Sequence, residues 1–220
     1  MNKCSFLNHS IITHRGIYNN ITIYENTIES IMYSLKNNLS INIDISLTKD
    51  KEIIVFNKNN ITKLLKLKDD VISLNYEELE YMSHYHIPTL KEVVDNVDGK
   101  VPIILNLYDD DKIMRNNILK IIDKYNNIAI QSSDYNILKS YKKKCIVGLV
   151  INSSNLIYLN KDINVDYLSI QYDLIDKPHS NLLKQKYYLI GYTLDNREEV
   201  MKYIKIYNNL IIDNIEEVFK

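Results

Sequence analysis

An imidazole beside a guanidinium, at the point where an apolar run stops, is the first place in this chain where chemistry could be done: Ile11-Ile12-Thr13-His14-Arg15-Gly16. Histidine gives or takes a proton near neutral pH, and arginine grips an oxyanion through its planar fork of N–H bonds. A second apolar run, Ile41-Asn42-Ile43-Asp44-Ile45, carries Asn42 and Asp44 two residues apart, hence on one face of a strand. Asn106 lies near the end of a third run, Val101–Leu107, and Asn57 follows the run Ile53–Phe56. Amides donate and accept hydrogen bonds but exchange no proton near neutral pH. One carboxylate, Asp44, among these amides offers little charge to offset the dehydration of Mg²⁺ or Ca²⁺.

Other residues compete for attention. Asp109, Asp110 and Asp111 directly follow the third run; they either relocate a carboxylate to the reactive end of a strand or, as we read them, cap a helix beginning near Lys112. His84 and His86 have a spacing that a strand would turn into two imidazoles on one side, but no third metal ligand accompanies them, so they read as loop histidines, as do His9 and His179. Asp50 reads as shaping a turn with Lys49 and Lys51. Glu25 and Asn26 read as capping the first helix and bracing the loop that holds His14 and Arg15.

These side chains need elements to position them. Strand-like runs fall near Ile11–His14, Ile41–Leu47, Val101–Leu107, Ile128–Ser132, Ile146–Ile151, Tyr167–Gln171, Tyr188–Thr193 and Leu210–Asp213, with a short extra one at Ile53–Phe56. Amphipathic segments alternate with them at Ile28–Leu35, Tyr76–Met82, Leu90–Val97, Ile113–Tyr125, Tyr135–Lys142 and Arg197–Tyr207. Asn75 with Glu78 has capping-box spacing, and Asp195 or Asn196 precedes Glu198 and Glu199. Ser153–Asp162 fits neither pattern. Repeated βα units with eight main strands predict an α/β fold, a single (β/α)8 TIM barrel over residues 1–220. Such barrels place reactive groups at the C-terminal ends of the strands, so the residues to inspect are those where each run stops.

Composition sets limits. A chain of 220 residues, 45% hydrophobic, can bury a barrel-sized core. Its formal net charge of −1 provides no nucleic-acid footprint, and Lys142-Lys143-Lys144 reads as the solvated end of a helix. Cys4 and Cys145 are too few for a disulfide framework, so reduced thiols and a cytoplasmic location are expected. No signal-like or membrane-spanning apolar stretch is present, so a soluble, unprocessed protein is expected.

Taken in order, these segments resemble the glycerophosphodiester phosphodiesterase family: His14-Arg15-Gly16, then Glu25-Asn26-Thr27, then Asn42-Ile43-Asp44 in place of Glu-x-Asp, then Thr48-Lys49-Asp50. Asn57-Lys58 stands for the family's His-Asp, with Ile61 and Lys63 at the spaced Leu-x-Arg, and Ile87-Pro88-Thr89-Leu90 with Glu92 matches the stretch before the third strand. That strand usually ends in Glu-x-Lys and here reads Asn106-Leu107-Tyr108; Gly191–Asn196 and Leu210–Asp213 resemble the family's last two strand ends. The resemblance implies a divalent cation held by the Glu-x-Asp pair and the later Glu, two histidines as acid and base, and an arginine on a phosphate oxygen. Of that set His14, Arg15 and Asp44 remain, while Asn42, Asn57 and Asn106 replace the others.

Two readings follow. In one, the chain is a non-catalytic relative that needs no cofactor and keeps recognition of phosphate or a glycerophosphodiester-like small molecule. There His14 and Arg15 would hold the anion, with Asn42, Asn57 and Asn106 as neutral donors and Asp44 as a residual metal ligand. In the other, it is an active hydrolase of lipid-derived glycerophosphodiesters whose acid/base and Mg²⁺ or Ca²⁺ sites have been rebuilt. An Asn-rich chain that had simply lost selection on its site would show the same residues.

Overall fold

The computed structural model describes residues 3–65 and 70–219, so Met1, Asn2, 66–69 and Lys220 of the expected 1–220 unit lie outside it. The strands are β1 (Ile12–His14), β2 (Ser40–Leu47), β3 (Ile53–Val55), β4 (Ile103–Leu107), β5 (Ile128–Ser132), β6 (Ile146–Ile151), β7 (Tyr167–Gln171), β8 (Tyr188–Leu194) and β9 (Asn209–Ile212). Around them lie α1 (Ile28–Lys36), α2 (Tyr76–Met82), α3 (Leu90–Val97), α4 (Lys112–Lys124), α5 (Tyr135–Tyr141), α6 (Lys177–Leu183), α7 (Arg197–Tyr203) and α8 (Ile215–Val218). Eight strands pair in parallel in the order β1-β9-β8-β7-β6-β5-β4-β2, and β1 pairs back to β2 to close the ring. This is the expected (β/α)8 barrel. β2 runs on past the ring, where Ile45–Leu47 pair antiparallel with β3.

Alternation along each strand sorts its residues. Outward positions such as Ile43, Leu105, Ile130 and Leu149 pack against the helices in the larger apolar layer. Inward positions Ile12, Ile104, Ala129, Tyr167, Tyr188, Ile190 and Ile211 fill the barrel's lower half. Cys4 and Leu7 plug it from below, and the Tyr188 hydroxyl and Asn209 amide donate to the Leu7 carbonyl. One turn higher the inward side chains become polar, Asn106 on β4 and Gln131 on β5, so the apolar filling stops where the strands end.

Caps follow the local chemistry. Thr27 caps α1, a role expected of Glu25 and Asn26, because its side chain sits where Ser30 N can donate to it at 3.3 Å. Asp111 caps α4 through Met114 N at 2.8 Å, Asn196 caps α7 through Glu199 N at 2.9 Å, and the Glu78 carboxylate accepts from Asn75 N at 2.8 Å. The unassigned segment 153–162 holds a single 3-10 stretch, Leu156–Asn160. α6 escaped the periodic reading because Lys177-Pro178-His179-Ser180 begins it with polar residues; Asp176 caps it and proline enters its first turn. Among the described residues no helix is long and apolar enough to cross a membrane.

Gly148 on β6 is required by its neighbour. A Cβ there would lie 2.1 Å from the ring of Tyr167, which fills the barrel centre and donates its hydroxyl to the Ile130 carbonyl at 3.1 Å. We expect Gly148→Ala to destabilise the fold by about 1–3 kcal/mol, the usual cost of overpacking, read as a fall in the midpoint of urea unfolding. An unchanged midpoint would show that the ring moves aside freely.

Candidate functional site

The loop after β1 is set by backbone conformations few residues adopt. Arg15 and Gly16 have φ of 63° and 87°, and Asn26 has 60°. A Cβ on Gly16 would fall 2.6 Å from the Ser30 backbone, so the loop presses directly on α1. Arg15 N donates to Asn42 O at 2.6 Å, while Asn26 N and Ser30 Oγ donate to Arg15 O at 2.9 and 3.1 Å. The strained turn is thus pinned from three sides, and it aims the guanidinium inward.

That guanidinium meets Asp44, which is only 1% exposed. Arg15 Nε lies 2.6 Å from Asp44 Oδ2, a close ionic contact without hydrogen-bond alignment. Asn26 and Asn57 donate amide N–H to Asp44 Oδ2 at 3.2 and 3.1 Å, and Asn106 Nδ2 and the Tyr108 hydroxyl donate to Oδ1, both at 2.8 Å. Burial alone would raise the Asp44 pKa. Arg15 foremost, then His14 and the hydrogen bonds from Asn106 and Tyr108, hold it below the ordinary carboxylate range. Glu25, also buried, takes Arg15 Nη1 at 2.7 Å, Asn60 at 2.7 Å and Asn20 at 3.2 Å. Arg15 is therefore held cationic between two carboxylates, and among the described residues its guanidinium donates a single aligned hydrogen bond, from Nη1 to Glu25, so that the remaining Nη N–H bonds are uncommitted.

His14 faces a separate partner. Its Nδ1 lies 3.1 Å from Asp213 Oδ1, just beyond β9, and the same oxygen accepts the Tyr18 hydroxyl at 2.7 Å. Burial opposes the charge on Asp213, but the His14 hydrogen bond and charge, with Tyr18, keep its pKa low. The carboxylate fixes the imidazole's orientation and leaves Nε2 for the cavity.

The sequence-derived candidates converge here, in different roles. Asn57 and Asn106 stand against Asp44. Asn42 donates to Ile104 O at 3.2 Å, bridging neighbouring strands inside the barrel. Beyond them a cavity of about 290 Å³ opens, lined by His14, Arg15, Asn106, Gln131, Asn152 and Tyr192 among others. Asp109 does not enter it, being paired with Lys58 at 2.7 Å, and Asp110 is paired with Arg115. His86 sits between Glu80 and Glu92 and does not line this cavity. Tyr18, Glu25 as a partner of Arg15, Tyr108, Gln131 and Asp213 went unread as site residues. Asp213 and Gln131 had a usable signal, since both fall at or near strand ends.

The divalent cation implied by the resemblance can be tested against this donor set. Asp44 is its one carboxylate, and both its oxygens already serve five donors, one of them a guanidinium. A cation would have to displace Arg15 and turn the amides around, so the residues do not fit one. Among the described residues no group of three or more His, Cys, Asp or Glu is arranged to hold a metal.

The sequence profile of the glycerophosphoryl diester phosphodiesterase family matches residues 14–216. Of solved structures, a glycerophosphodiester phosphodiesterase from Thermotoga maritima is 23% identical, with 94% of this chain and 96% of that one covered at a TM-score of 0.77. A phosphodiesterase from Oleispira antarctica, solved in complex with the product sn-glycerol-3-phosphate, is 16% identical at a TM-score of 0.77, covering 96% and 95%. One from Parabacteroides distasonis is 17% identical at 0.75, covering 96% and 95%. No curated protein sequence matches the chain significantly.

Breaking the central pair should be costly. We expect Arg15→Ala and Asp44→Ala each to lose about 3–5 kcal/mol, with the double variant losing less than the sum, because each single change strands a buried charge. Additive losses in a denaturation cycle would show that the pair is uncoupled. Because Asp44 and Asp213 both titrate below their ordinary value of 3.8 in the fold, their stabilisation is complete above that pH and is lost as pH falls through the depressed values. Asp44→Asn should flatten the acid limb of the stability curve; an unchanged limb would place the titration elsewhere.

Proposed function

Because this chain belongs to the glycerophosphoryl diester phosphodiesterase family, we propose that it is a member that has kept a ligand cavity at the strand ends and lost turnover. The observation that carries this reading is Arg15 lying 2.6 Å from Asp44 with amides around it. The negative charge that would recruit a cation is neutralised from within the chain. Asn57 supplies no proton, so one imidazole, His14, stands alone where acid and base are both needed. The ligand is a phosphate or glycerophosphodiester-like small molecule, met by His14 Nε2 and the uncommitted Arg15 N–H bonds, and the setting is cytoplasmic and connected to lipid-derived glycerol chemistry. That a relative of this fold was solved with sn-glycerol-3-phosphate supports a ligand of that class.

One observation favours the active alternative. Asp213 on His14 Nδ1 is the arrangement that orients an imidazole as a general base. A hydrolase built on it would need a second proton-transfer group and a charge stabiliser, and the residues against His14 and Arg15 are tyrosines, amides and carboxylates already bonded to one another.

Turnover of glycerophosphocholine with added Mg²⁺ or Ca²⁺ separates the two. The wild type and Asn57→His should both be inactive. The triple variant Asn42→Glu, Asn57→His, Asn106→Glu should recover more than any single change, since these groups act as a unit. Robust wild-type turnover abolished by His14→Ala would overturn the silent reading.

A further inference from the structure

We propose that the groove between α3 and α4, on the outer wall of the barrel, binds a single-chain anionic amphiphile, a fatty-acid-like carboxylate with its chain along the groove and its head beside Lys120. This site shares no lining residue with the strand-end cavity, so it stands apart from the reading above.

The groove exists because two neighbouring helices do not close on each other. α3 leans on α1 and β3 and stands off from α4. α4 buries Met114, Ile118, Leu119 and Ile122, which leaves Asn117, Lys120, Ile121 and Lys124, spaced as one helical stripe, to line the gap. Among the described residues the one ion pair across it joins Lys124 to Asp95 at 3.7 Å.

Shape and polarity of the floor suit an acyl chain. Ile53 from β3, Leu90 and Val94 from α3 and the partly buried Ile121 make it apolar, and the lysine stems extend that surface upward. The volume, about 380 Å³, falls within the range of small-molecule sites. The eight residues of α3 run about 12 Å at 1.5 Å each, which leaves a cross-section of about 30 Å². A helix with its side chains is about 10–12 Å across and too wide to lie in it, whereas one extended chain fits.

The lip along α3 and α4 is cationic. Lys91 at 2.7 Å and Lys124 at 3.7 Å divide a single carboxylate, Asp95, and Lys120 has no carboxylate partner among the described residues. Three ammonium groups therefore meet one negative charge. Lys51 and Glu52, from the turn before β3, offset each other, and Lys51 also reaches Asp111 at 3.0 Å just outside the groove. The Asn117 amide, one turn from Lys120 and bonded to no described residue, adds an N–H for the second oxygen of a carboxylate. An apolar floor bordered by surplus positive charge selects a ligand that is apolar along its length and anionic at one end. A neutral chain forgoes the lysines, and a small anion forgoes the floor.

The experiment is ligand-detected NMR titration of the full chain with octanoate, acetate and 1-octanol, each kept monomeric. Octanoate should bind, more weakly as salt is raised, with acetate silent and 1-octanol weaker than octanoate. Lys120→Glu should weaken octanoate by about fivefold or more, since a charged contact becomes a repulsion, and should leave 1-octanol unaffected. Its melting temperature should match the wild type, because Lys120 is exposed. Ile121→Ser should weaken octanoate and 1-octanol alike. Equal binding of octanoate and 1-octanol, octanoate binding untouched by Lys120→Glu, or no octanoate binding at millimolar concentration would overturn the assignment. Displacement of octanoate by sn-glycerol-3-phosphate would overturn it too, by moving the amphiphile to the strand-end cavity. None of these outcomes bears on turnover or on recognition at the strand ends.

Discussion

A single buried carboxylate organises this end of the barrel. Asp44 cannot sit among the strand ends uncompensated, because an isolated charge there would cost far more than the fold can spare. Its compensation draws a guanidinium from the loop after β1, amides from the loop before α1, from the end of β3 and from β4, and a phenol just past β4. The left-handed backbone at Arg15 and Asn26 is a consequence. Those residues take an unfavourable conformation because only that turn brings both side chains onto Asp44, and the contacts on the Arg15 peptide hold it there.

The barrel beneath supports this arrangement. Apolar inward residues and the Tyr167 ring pack its lower half, so water has no route from below to the Arg15–Asp44 pair. Low dielectric strengthens the pair and raises the penalty for disturbing it. The same division leaves the upper half polar, and there the helices contribute nothing. Everything the cavity presents comes from strand ends and the loops after them.

Most of the architecture was legible because period and position agreed. The runs at Ile128–Ser132, Ile146–Ile151 and Tyr167–Gln171 are strands with the expected bounds, and Tyr76–Met82 and Leu90–Val97 are helices with theirs. Where polar residues open a helix, as in Lys177–Ser180, the apolar signal starts too late to be read. The candidate residues were legible as a set, since His14, Arg15, Asp44, Asn57 and Asn106 do come together. Their pairings were not. Whether an arginine faces a ligand or a neighbouring carboxylate depends on the backbone angles of its loop and on which side chains meet across the barrel. Asn57 and Asp44 are thirteen residues apart, Tyr108 and Asp44 sixty-four, and no local pattern reports such meetings.

The three-dimensional pairings also bear on how the altered residues arose. Chance accumulation of Asn in an Asn-rich chain would scatter amides that satisfy water or nothing. Asn57, Asn106 and Tyr108 instead bond to the same carboxylate and to each other, Tyr108 accepting from both amides at 3.0 Å. A network in which each group completes another is what stability favours around a lone buried carboxylate, because satisfied dipoles offset its charge where further carboxylates would repel it. That account covers Asp44 and everything touching it. It does not reach Gln131 or Ser169, whose buried side-chain oxygens lie outside the network and gain nothing from it.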